Sequence, residues 1–196
     1  MKINMKSLGL FFALMLIVGV LGAQIQQKPQ VTAIFPKNFC QNYNSAKEST
    51  FKIDFQISGM TDQDVQKFIV QASKNDGVIN FSLGSLQDGL RIAKVEFAPQ
   101  VDFDFIRTLL QENGVRFVND EDIIISIYDW KSYTNEQCKS ITQLNQQIIN
   151  IETKINFTMQ DPTQKSMAEG NGWFVQASDF LIKAKDAKKN YLETIK

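Results

Sequence analysis

Phe51-Lys52-Ile53-Asp54-Phe55-Gln56-Ile57, followed by Gly59-Met60-Thr61 and then Val65, Phe68, Ile69 and Ala72, decides the fold. In the first segment apolar and polar residues alternate, the period of a strand with one buried face. Gly59 breaks it. The spacing i, i+3, i+4, i+7 of the second segment lays one apolar stripe along a helix, and Thr61 with Asp64 three residues on supplies an N-terminal cap pair.

Reading onward, Gly77 ends that helix and Val78, Ile79, Phe81 and Leu83 predict a second strand, closed by the turn region Gly84 to Gly89. Leu90 to Phe97 reads as a third strand with Ala93, Val95 and Phe97 on one face, ended by Pro99. Val101-Asp102 opens a second helix with Ile106, Leu109 and Leu110 inward, and Gly114 stops it. Val115 to Val118 gives the fourth strand. The order β-α-β-β-α-β over residues 50–118 predicts an α+β fold. Right-handed crossovers would put both helices on one face of a four-stranded antiparallel sheet, the ferredoxin-like arrangement. Asn119-Asp120-Glu121-Asp122 reads as a solvated acidic turn. Ile123 to Ile127 extends the fourth strand or adds an edge strand, taking this domain to residue 130, and an edge this apolar should be covered.

Residues 131–196 read as helical. Thr134 with Gln137 matches a capping box. Ile141, Leu144, Ile148, Ile151 and Ile155 recur at coiled-coil spacing, as do Phe174, Ala177, Leu181, Ala184, Lys188, Tyr191 and Ile195. Asp161-Pro162 marks the turn between them, so the segment predicts an antiparallel α-helical hairpin, with Gly170 and Gly172 marking a bend in its second arm. Trp173 and Phe174, beside that bend, are the candidate interaction residues, because large aromatics anchor interfaces. Packing within the protein is the plainer reading of the same pair.

The N-terminus precedes all of this. Lys2 and Lys6, an apolar run from Leu8 to Leu21, and Gly22-Ala23 form the pattern of a secretory signal peptide over residues 1–23, cleaved near Ala23. The run is short for a membrane span, which needs about 20 residues; an uncleaved anchor is the competing reading. Residues 24–49, with Pro29, Pro36 and an Asn/Gln/Ser-rich tract, read as a polar arm or linker. The mature chain has no other segment apolar enough to cross a bilayer. Export places Cys40 and Cys138, the chain's 2 cysteines, in an oxidising compartment, where a disulfide is expected. A reactive thiol pair is the alternative, but the close spacing that lowers a thiol pKa is missing.

Composition excludes several functions. The 196 residues contain no His, which removes Ser-His and Cys-His catalysis, His-ligated zinc and an imidazole pH switch. Without Lys2 and Lys6, 19 basic residues face 21 acidic ones, and residues 50–118 carry 7 basic against 9 acidic, so nucleic acid is not an expected partner. No nucleophile-elbow or phosphate-loop spacing occurs, and no enzyme activity or cofactor is expected.

The junction Gly59-Met60-Thr61, together with Gly77-Val78, Ala98-Pro99-Gln100-Val101-Asp102 and Asn113-Gly114-Val115, resembles heavy-metal-associated (copper-chaperone-like) domains over about 70 residues. The resemblance implies the ferredoxin-like fold and a loop Gly-Met-Thr-Cys-x-x-Cys whose two thiolates hold a soft metal. Here those positions are Asp62 and Val65, and neither replaces a thiolate. Met60 and Asp62 are therefore only weak metal candidates, and no metal is expected. The sequence thus leads to an exported protein, periplasmic or secreted, whose task is protein–protein contact as an envelope accessory or scaffold. A metal-handling protein with a non-standard site is the alternative.

Overall fold

The structure, a computed structural model, describes residues 30–37, 39–46, 49–99 and 101–195. The predicted signal segment and its cleavage point near Ala23 lie outside them. Twelve elements follow in order: β1 Thr32–Ile34, α1 Phe39–Ser45, β2 Phe51–Ser58, α2 Asp62–Ala72, β3 Val78–Leu83, β4 Leu90–Phe97, α3 Phe103–Glu112, β5 Phe117–Asp120, β6 Ile123–Ser126, α4 Asn135–Gln160, α5 Pro162–Gly170 and α6 Trp173–Thr194.

The alternation in β2 works as its sequence dictates. Phe51, Ile53, Phe55 and Ile57 are buried, while Lys52, Asp54 and Gln56 face solvent. Against that buried face pack Val65 and Phe68 of α2 and Ile106, Leu109 and Leu110 of α3, in one core cluster. The Thr61 hydroxyl oxygen accepts from Asp64 N at 3.2 Å, and Asp102 Oδ1 accepts from Phe105 N at 2.7 Å, so each helix starts on its own side-chain cap. Gly77 is required by close approach: a Cβ there would stand 2.5 Å from the Phe105 ring. The opposite face of the sheet is open, with Ile92, Lys94 and Gln56 exposed.

The expected four-stranded antiparallel sheet needs correcting. The sheet is mixed and six-stranded, in the order β3-β4-β2-β1-β5-β6. The added central strand, β1, comes from the stretch read as a polar arm. It runs antiparallel to β2, with Ala33 opposite Ile57, and parallel to β5, with Ala33 opposite Val118. Ala33 is fully buried, and Phe35 and Phe39 stack on Trp130 at centroid distances of 4.8 and 5.6 Å. The arm therefore contributes a strand, a helix and core aromatics. Three residues are too few to display a period-2 pattern, which is why β1 reads as linker.

β5 and β6 form a hairpin of their own, with Asp120 opposite Ile123. The helical segment has three helices where two were expected, because the chain breaks at Gly170–Gly172, where Gly172 has φ 71°. α4 starts on the predicted Thr134–Gln137 capping box. α4 and α6 pack on each other, and Lys185 pairs with Glu152 at 2.8 Å between them. Cys40 and Cys138 are disulfide-bonded with Cα atoms 5.9 Å apart, fastening α1 to α4. No helix among the described residues is long and apolar enough to cross a membrane.

Candidate functional site

The densest polar construction among the described residues is the turn joining β5 to β6. Only Glu121 and Asp122 connect the two strands, with φ of 58° and 69°. Left-handed geometry at both central residues is what a tight hairpin demands, and Asn-Gly usually supplies it. Placing Glu and Asp there costs roughly 1–2 kcal/mol per residue. The turn survives because its carboxylates are captured. Glu121 Oε2 accepts from Lys188 Nζ at 2.9 Å and from Asn145 Nδ2 at 2.8 Å. Asp122 Oδ2 meets Lys37 Nζ at 3.0 Å and Lys188 Nζ at 3.3 Å. Asp120 Oδ2 accepts from the Trp130 indole N–H at 2.9 Å, inside the core.

This corrects the expectation of a solvated acidic turn, since Asp120 is 2% and Glu121 3% exposed. It is a junction at which β5–β6, Lys37 after β1, Trp130, α4 and α6 meet. Its electrostatics follow from that crowding. Burial works against ionisation of Asp122, yet hydrogen bonding and charge from Lys37 and Lys188 hold its carboxyl below the usual range. Burial, with the Asp120 carboxylate beside it and Glu121 further off, drives the Tyr133 phenol well above its ordinary value. The cluster orients elements and presents no nucleophile paired with a free base. Among the described residues no group of three or more His, Cys, Asp or Glu side chains is placed to hold a metal.

The loop resembling a metal-binding junction is built differently from its thiolate counterpart. Met60 is buried at 6% exposure and Val65 at 5%, both within the core cluster. Asp62 turns the other way, its carboxylate taken by the guanidinium of Arg91, which also donates through Nη1 to Gly84 O at 3.2 Å. The two positions that would carry cysteines therefore do not converge on one point.

Trp173 and Phe174 are half-buried and pack edge to face, ring centroids 5.3 Å apart. The same helices carry a different kind of side chain. Phe157, Met159, Met167, Val175, Phe180 and Ile182 are each more than half exposed, six of the thirteen exposed large apolar side chains among the described residues. With Ile149 on α4, these three helices carry seven of the thirteen, more than their share of the described residues, and the other six lie between Val70 and Tyr128. Beside the disulfide, Gln41, Asn44 and Ser45 of α1 face Asn135, Lys139 and Thr142 of α4 across an open cleft of about 470 Å³.

Sequence reasoning missed Lys37, Asn145, Trp130 and Tyr133 as members of the junction and gave Lys188 a place in the heptad pattern but no partner. One signal was available. Lys188 occupies a seam position of the heptad pattern, where a cation must find a buried anion. Comparison of the chain with protein-family models, with curated proteins and with solved structures returned no match.

Proposed function

We propose that the chain is an exported, non-catalytic protein–protein interaction module, a scaffold or accessory of the cell envelope or secreted space. The observation that carries this reading is the run of exposed apolar side chains on α4, α5 and α6, from Phe157 to Ile182, on helices whose base is fixed to the sheet by the Lys188–Glu121 pair. Solvated large apolar side chains are unfavourable in a lone protein and mark contact surfaces when they concentrate. Export is supported by the signal-like N-terminus and by the Cys40–Cys138 bridge.

The architecture fits a degenerate heavy-metal-associated-like unit made of β2, α2, β3, β4, α3 and β5, a ferredoxin-like succession opened by insertion of β1 beside β2. α4 and α6 then act as a helical hairpin with α5 as its tip, and Trp173 and Phe174 stiffen the bend from which the exposed side chains project. The test is a triple variant, Met167→Ser, Val175→Ser and Phe180→Ser, compared with the unaltered protein. Cross-linking in the native exported fraction, followed by mass spectrometry, is expected to give one reproducible partner that the variant loses while keeping its melting temperature. An unchanged cross-link pattern would refute the reading.

A further inference from the structure

The two rims of the sheet are made differently. β3, one rim, carries a register shift between Val78 and Asn80 against β4 and exposes Asn80 and Ser82, features that discourage pairing with another chain. β6, the other rim, has none of these devices. Ile123-Ile124-Ile125-Ser126 holds no charge and no proline, pairs with β5 in unbroken register, and leaves Ile124 65% exposed. Its ladder runs to β5 alone, and just beyond it Ile127 N donates to Arg116 O, again on the inner side. No strand among the described residues pairs with its outer side. The sequence demands a cover for this rim, and the described residues pair no strand with it.

We propose that a second copy of this chain is the cover: β6 pairs antiparallel with β6 of the other copy about a two-fold axis through Ile124, normal to the sheet. Such an axis keeps the open face of one sheet continuous with the open face of the other, so paired residues must come from the same face. Ile124 lies on the open face in a row with Asn119, Ile34 and Gln56. Centred on Ile124, the register sets Ile124 against its own copy and Ile123 against Ile125 in both directions, so every isoleucine of the strand meets an isoleucine. Asp122 then falls opposite Ser126 and Glu121 opposite Ile127, and no two carboxylates oppose each other. A register centred on Ile123 sets Glu121 opposite Ile125 and Asp122 opposite Ile124. One centred on Ile125 pairs Ile124 with Ser126. This self-complementarity selects a second copy over an unrelated strand, and a mature chain with 19 basic against 21 acidic residues puts little long-range repulsion between copies. Four residues per copy bury less than the roughly 1,200 Å² of a tight complex, so the dimer is reversible. The site is separate from the exposed surface of α4–α6, and its failure leaves that reading untouched.

The experiment uses the mature, oxidised chain in sedimentation velocity across a wide concentration range. The unaltered protein is expected to shift from monomer to dimer with rising concentration. Ile124→Lys, which sets two ammonium groups face to face, should weaken dimerisation at least tenfold, while Val175→Lys, at an equally exposed site on α6, should leave it unchanged. Ile124→Cys should form an intermolecular disulfide under mild oxidation, since residues opposite one another across antiparallel strands lie about 4.5–5.5 Å apart. A monomer at every concentration overturns the proposal. So does loss of the dimer in Val175→Lys but not in Ile124→Lys, or failure of Ile124→Cys to cross-link.

Discussion

Replacing Lys188 with Met tests the junction most directly. The Lys188 side chain is 5% exposed and that of Glu121 1%, so water cannot take over the role of either partner. With the ammonium gone, Glu121 keeps only the Asn145 amide, and its charge stays in the protein interior. Leaving one member of a buried pair uncompensated costs about 3–5 kcal/mol. In a chain of this size that corresponds to a fall in melting temperature of roughly 6–20 °C. Glu121→Gln is the informative counterpart. It leaves the buried Lys188 with Asp122 at 3.3 Å, so the cation keeps an anionic partner. Its cost is one charge-assisted hydrogen bond, about 1–3 kcal/mol, smaller than for Lys188→Met. The double variant should cost less than the sum of the two singles by at least about 1 kcal/mol, because the second change removes the charge stranded by the first. Urea unfolding followed by circular dichroism, with the disulfide intact, gives all three values. A cost below about 1 kcal/mol for Lys188→Met, or a larger cost for Glu121→Gln, would refute the reasoning.

Two further outcomes follow from the same geometry. Opening the Cys40–Cys138 bridge, by reduction or by Cys→Ser at both positions, should cost about 2–5 kcal/mol and free α1 from α4, read as a lower urea midpoint. The tyrosines should titrate unequally: Tyr133 is held neutral by burial and by Asp120, and Tyr43 is raised by burial and by Asp102. For a group raised on folding, the stabilisation is complete below its unfolded value near 10 and is lost as pH rises beyond it. Comparing the 295 nm titration of the unaltered protein with that of Tyr133→Phe should therefore place the Tyr133 ionisation above the ordinary value near 10. A Tyr133 ionisation at the ordinary value would contradict its burial.

How much of this the sequence discloses depends on whether the determinant is local. β2, α2, β4 and α3 announce themselves because period and cap lie within a dozen residues: Phe51 to Ile57 alternates, and Thr61 and Asp102 cap the helices that follow them. β1 does not, because Thr32-Ala33-Ile34 owes its place to Ile57 and Val118, distant in sequence, and shows nothing periodic itself. The acidic turn fails for the same reason. Asn119 to Asp122 has the composition of a solvated loop, and only Asn145 and Lys188, on helices far along the chain, make it an interior site. At Gly59-Met60-Thr61, where the resemblance is local, the sequence names the positions of Asp62 and Val65 but not their surroundings: Asp62 is taken by Arg91 and Val65 by the core.

The strained turn and the open rim belong to one design. A tight two-residue connection with both φ values positive matches the twist of the paired strands and pins their register, and a slip of one residue would move Ile125 off the core and Ile124 onto it. Glycine at positions 121 and 122 would have given the same turn without strain. The carboxylates chosen instead give α4 and α6 something to grip through Asn145 and Lys188. The helices therefore hold β6 at the rim in a fixed register, and the rim in turn anchors the helices that carry the exposed apolar surface. Weakening the Lys188–Glu121 pair should accordingly loosen both contact surfaces together. In Lys188→Met the β6-mediated dimer should weaken although no residue of β6 has changed, and a dimer as tight as that of the unaltered protein would show that the rim is held without the helices.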